Sequence, residues 1–148
     1  MKRLPRTRAS TRKRHLAIHE AAHAVVAMVL GLGVWKVSLR EGCFTGFARV
    51  PQPRWWHARN AVASLAGDIA ERRVAPDLVL LAGQDGINAR AFLRRAYGRA
   101  GVTTRLHRAQ QRARRLVFGN WLAIERVAAR LQRTGTLDGR AVRACIEG

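Results

Sequence analysis

Residues 15–30 read HLAIHEAAHAVVAMVL. Leu16, His19, His23, Val26 and Leu30 recur at helical spacing and share one face, so the stretch predicts a largely buried helix. It starts near Thr11 or His15 and runs to Leu30, where Gly31 and Gly33 stop it. Within it stands the pattern H-E-x-x-H, from His19 through Glu20 to His23. Histidines four apart lie about one turn from each other and can aim both imidazoles at one cation. Glu20 is rotated roughly 100° from His19. Its carboxylate therefore sits beside the pair, placed to take a proton from water without filling a coordination position. Histidine pairs also occur as simple packing, but a polar trio in so apolar a helix needs partners once buried. The motif alone does not decide between the two readings, but this context raises the odds of a metal site.

A catalytic zinc takes three protein ligands and leaves one position for water, so a third ligand must come from elsewhere. His15, one turn before His19, is expected in the first turn near the basic amino terminus. His57 follows two tryptophans at a helix start, where packing or exposure is the default. Beyond Glu20 the chain has eight acids. Glu41 falls in a turn, Asp77, Asp138 and Glu147 look exposed, and Glu125 lies among arginines. Asp68, Glu71 and Asp85 remain. Asp85 opens a helix, in GQDGINARAFLRR, where a carboxylate is held by the helix start; a plain N-cap is its bland reading.

Around the motif helix the pattern is mainly α with one small sheet. VWKVSL (34–39) alternates with a two-residue period and reads as a strand. Glu41-Gly42 marks a turn, and CFTGFARV, ending at Val50, reads as the second strand of a hairpin. A helix follows from Trp56 to Val74, with Val62, Leu65, Ala66 and Ile69 inward, then a connector from Pro76 to Asp85. Further helices span Gly86 to Tyr97, Thr103 to Arg133 with a break at Gly119-Asn120, and Asp138 to Ile146, the last capped by Asp138. Residues 1–14 carry seven basic residues and almost nothing apolar; they read as a flexible arm ahead of one domain spanning 15–148.

Composition narrows the classes. Nearly half the 148 residues are apolar, which excludes a disordered chain and suits one domain with a real core. The most apolar run, AVVAMVLGLGV (24–34), is about half of a membrane span, and no transmembrane segment is expected. Cys43 and Cys145 show no metal-type spacing and read as reduced thiols of a cytoplasmic protein. The net charge of +19 comes from 25 Arg and 3 Lys beside 25 Ala. That skew points to GC-rich coding as much as to phosphate contacts, so nucleic acid is a partner class that is open but not favoured.

From His15 to Ile146 the chain resembles the peptidase domain of the FtsH family, the ATP-dependent zinc metalloproteases. AIHEAAHAVVA is similar to that family's HEAGHA helix, and VWKVSLREGCFTGFARVP to its strand pair. SLAGDIAERRV resembles its LGGRAAEE helix, GQDGINARA its GASNDLxxAT segment, and NWLAIERVAARLQRTGTLDGRAV its closing helices. The resemblance implies a helical peptidase domain with a small hairpin beside the H-E-x-x-H helix. It implies zinc as cofactor, with His19, His23 and Asp85 as ligands and Glu20 as general base. Glu71 falls in the helix behind the site, orienting a ligand histidine or, in the rival arrangement, serving as third ligand itself. Ala22 stands where the family has glycine, and Asp68 replaces an arginine.

These implications describe a metalloendopeptidase acting on a peptide or protein substrate, which would pair with the edge strand in the 34–50 region. The family's hexamers suggest a homo-oligomer, although their rings are built partly by modules not found in these residues. No P-loop pattern occurs in the 148 residues, so ATP-driven unfolding would need a separate ATPase partner. Two other classes stay open. One is an inactive relative that binds nucleic acid or an acidic partner through an Arg-rich surface, Arg105, Arg108, Arg112, Arg114 and Arg115 above all. The other is an unrelated zincin with a different third ligand.

Overall fold

A computed structural model describes residues 8–45, 51–77 and 83–148. The described residues form six helices and a small sheet: α1 (Arg8–Val29), β1 (Val34–Ser38), β2 (Gly42–Thr45), α2 (Arg54–Val74), α3 (Gln84–Tyr97), α4 (Val102–Gly119), α5 (Trp121–Thr134), β3 (Thr136–Asp138) and α6 (Gly139–Glu147). The fold is mainly α, as the periodicity predicts.

α1 is the central element, packed between α2 and α5. Small residues make this possible. Ala17, Ala21, Ala22 and Ala24 on α1, and Ala61, Ala66 and Ala70 on α2, are buried, and their short side chains let the helix axes approach. The core continues through Val25, Val26, Val37, Val117, Ile124 and Leu131. α1 stops as the glycines predict. Gly31 adopts φ +75°, its N–H donates to the Met28 carbonyl, and the Leu32 N–H donates to the Ala27 carbonyl at 3.0 Å. That pair of bonds satisfies two of the last carbonyls and turns the chain toward β1.

α1 begins earlier than expected. Residues 8–14, assigned by their charge to the arm, form its first two turns with most of their side chains exposed. A solvated helical turn and a solvated arm have the same composition, so charge alone does not separate them. Residues 1–7 of the arm lie outside the described residues, as do 46–50 of the expected second strand and 78–82 of the connector.

The sheet is antiparallel with order β2-β1-β3. Its third strand was not expected: three residues with only Leu137 buried carry too little alternation to be read. β3 places α6 against β1, and Asp138 caps α6 as predicted, accepting from the Ala141 N–H at 2.8 Å. The long carboxy-terminal helix does break at Asn120, whose side chain donates back to the Leu116 carbonyl. Among the described residues no helix is long and apolar enough to cross a membrane, and both cysteines are free.

Candidate metal centre

The motif helix presents His19 and His23 on the face that meets α2. Each imidazole is held by its Nδ1. His19 Nδ1 lies 3.1 Å from Glu71 Oε2, and His23 Nδ1 lies 2.8 Å from the Ala63 carbonyl oxygen, both partners being on α2. A carbonyl can only accept, so His23 Nδ1 is the donor there, and Glu71 asks the same of His19. Both Nε2 atoms are thereby left facing one point, 3.0 Å apart.

Asp85 closes the group from α3. Its Oδ2 lies 3.4 Å from His19 Nε2 and 3.3 Å from His23 Nε2. Asp85 occupies the second position of α3 rather than its N-cap, which is Gly83, so its carboxylate turns inward to the histidines instead of capping the helix. The backbone N–H of Asp68 donates to the same oxygen at 3.3 Å. These three donors form a triangle with edges of 3.0, 3.4 and 3.3 Å. Zinc with ligands at about 2.0–2.1 Å in tetrahedral array requires edges of roughly 3.3–3.4 Å. The donor set fits such a cation.

Gly67 supplies the space. A Cβ at this helical position would stand 2.5 Å from His23 Nε2 and 2.6 Å from His19 Nε2. The missing methyl is the room beside the two nitrogens that the cation site needs. A glycine inside a helix costs about 1 kcal/mol relative to alanine, and that cost is a signal the position carries in the sequence.

Glu20 lies beside the triangle and is 8% exposed. Burial pushes its carboxyl above the ordinary range, against the pull of His23 and with added repulsion from Asp85. Burial also disfavours a charged His23, but the hydrogen bond and charge of Asp85, with the charge of Glu20, outweigh it and raise His23 to about 9. His19 moves the other way, lowered by burial and by His23. These directions favour a proton on His23, beside Asp85, over one on His19.

His19, Glu20, His23 and Asp85 line a cleft of about 630 Å³, together with Gly42, Cys43 and Thr45 of β2. Burial, then the charge of Glu20, pushes the thiol of Cys43 up to about 12, away from the reactive thiolate form. A second set of potential ligands, His19 with Asp68 and Glu71, gathers on the Nδ1 side. Neither carboxylate lines the cleft, and His19 Nδ1 is already engaged with Glu71. Asp68 Oδ1 stands 3.9 Å from the same nitrogen, and burial with repulsion from Asp85 raises Asp68 to about 6. Glu71 therefore sits behind His19, opposite the Nε2 triangle.

The remaining histidines stay apart from the triangle. His15 is buried within α1 rather than ending in its first turn. His57 packs beside Trp56 and Phe92, and His107 is exposed on α4. Of the paired tryptophans, Trp56 packs on the core while Trp55 is half exposed. Compared with models of known protein families and with curated proteins, the chain matches none.

Proposed function

We propose that the chain is a zinc-dependent metalloendopeptidase, similar in its peptidase fold to the FtsH family. The observation that carries this reading is the convergence of His19 Nε2, His23 Nε2 and Asp85 Oδ2 over Gly67, with Glu20 buried beside them. His19, His23 and Asp85 would hold zinc. Bound there, zinc supplies Lewis acidity, polarising a carbonyl and making water acidic enough to lose a proton near neutral pH.

The chain's own groups account for the rest. Glu20 accepts the proton of the attacking water on its carboxylate and returns it to the leaving amine. A carboxyl raised by burial is suited to both halves of that exchange. Glu71 and the Ala63 carbonyl hold the two imidazoles in the tautomer that turns Nε2 to the cleft. β2 is an edge strand among the described residues and borders the cleft. An extended peptide can add to that edge through main-chain hydrogen bonds, which tolerate many side chains. Any ATP-driven unfolding of folded substrates would come from residues beyond these 148.

The test joins elemental analysis of the purified protein to cleavage of a casein-type substrate after zinc loading. Glu20→Gln should retain the metal and lose about 10²–10⁴-fold in turnover. Full activity in that variant refutes the assignment of Glu20, and a folded, reduced protein that takes up no divalent ion refutes the metallopeptidase reading.

A further inference from the structure

Glu41 borders two depressions. On one side lies the cleft over His19, Glu20 and His23. On the other lies a shallow groove of about 1050 Å³ between the first turns of α1 and the end of the sheet. Arg12 and Lys13 of α1, Lys36 of β1 and Arg40 of the β1–β2 turn line it. Glu41, its one acid, is ion-paired with Lys36. Arg12, Lys13 and Arg40 face no carboxylate within ion-pair distance among the described residues. Residues 1–7, 46–50 and 78–82 contain no Asp or Glu, so Glu41, which also feels the charge of Arg40, is the one acid beside these cations. Four cations thus face one acid, and the groove carries a net positive charge.

Its position gives that charge a use. The outer edge of β2 runs along the cleft from Thr45 to Gly42 and ends at Glu41, where the groove begins. A chain laid along β2 passes directly from one depression into the other. We propose that the groove selects acidic substrates: a peptide with its reacting bond over the His19–Glu20–His23 cluster carries Asp or Glu side chains, on one side of that bond, to Arg12, Lys13 and Arg40. This rests on the peptidase reading of the cleft. A peptide fits better than a nucleic acid, because a strand edge offers main-chain hydrogen bonds and no aromatic ring lines the groove for a base to stack on.

The experiment uses fluorescein-labelled peptides of one neutral sequence, carrying three glutamates on its amino-terminal side, three on its carboxy-terminal side, or glutamines at both. Binding is read by anisotropy on the 148-residue Glu20→Gln protein, and cleavage on the zinc-loaded wild type. One glutamate peptide, not both, should bind about tenfold tighter than the glutamine peptide at low salt, since several exposed charge pairs act together. Added salt should shrink the difference, and in cleavage it should appear in KM rather than kcat. R12S/K13S/R40S should bring the preferred peptide within about twofold of the glutamine peptide, whereas R108S/R112S on α4 should leave the preference intact.

Equal binding of all three peptides, or a preference that survives R12S/K13S/R40S, overturns the proposal. So does a single-stranded oligonucleotide of equal charge whose binding the groove variant abolishes while acidic-peptide binding persists. Groove-dependent binding with no cleavage of any peptide supports the acidic-ligand site and counts against the peptidase reading alone.

Discussion

Glu71 Oε2 stands 3.1 Å from His19 Nδ1, a contact between residues 52 apart in sequence with both side chains almost wholly buried. It fixes which nitrogen of His19 faces the cleft, so Glu71 and Asp85 act on opposite sides of one imidazole. Their variants should differ accordingly. Asp85→Ala removes a ligand atom and should abolish stoichiometric zinc binding. Glu71→Ala leaves the ligand atoms in place but frees the ring and should weaken zinc about 10–100-fold, while Glu71→Gln, which keeps an acceptor, should weaken it less. A zinc titration of the three proteins checks this. The reverse ranking would make Glu71 the third ligand.

The two histidines also set a pH dependence. His23, raised to about 9, carries a proton at neutral pH that an entering cation must displace. Zinc binding should release that proton, and apparent affinity should rise by up to about tenfold per pH unit before levelling near pH 9. The same shift acts on stability. A folded-state pKa above the ordinary value of 6.5 stabilises the metal-free protein fully below pH 6.5, and the contribution is lost as pH rises through about 9. The urea midpoint of metal-free protein should therefore fall across that window, less so in His23→Gln. Zinc affinity that stays constant from pH 6 to 9 would contradict the protonated pair.

How much of this is legible in the residues depends on where each signal lives. The helix from His19 to His23 announces itself because its chemistry and its 3.6-residue period coincide in one short stretch. Asp85 carries no such signal. A lone acid at a helix start looks like a cap, and only the resemblance to a known segment drew it toward the histidines, where the structure brings it. Glu71 is similar: nothing local distinguishes a carboxylate that is 1% exposed from a solvated one. The hairpin and the break at Asn120 follow from local turn chemistry. The third strand does not, because its three residues form a strand only through their pairing with β1.

Gly139 shows what that pairing demands. It opens α6 directly against β1, and a Cβ there would overlap the carbonyl of Val34. The obstacle is backbone, so no rotamer relieves it. Gly139→Ala should push α6 and β3 away from the sheet and lower stability by about 1–3 kcal/mol, as overpacking does, read as a shift in urea midpoint. The cost should be unchanged by zinc, since none of the cation-site residues lies on these elements. A variant with the wild-type midpoint would mean that α6 can slide on β1.

Gly67→Ala offers the opposite combination. Here the added methyl would meet the Nε2 atoms of His19 and His23, the free ends of side chains that can swing aside, rather than fixed backbone. The helix itself gains, since alanine is favoured over glycine in a helix interior by about 1 kcal/mol. The variant should therefore fold with a midpoint close to that of the metal-free parent. The two nitrogens, however, can no longer approach 3.0 Å with an open position beside them. Zinc affinity should drop at least 100-fold, and peptide cleavage should disappear with it. A well-folded Gly67→Ala protein that binds zinc as the parent does would show that no cation sits between these two imidazoles.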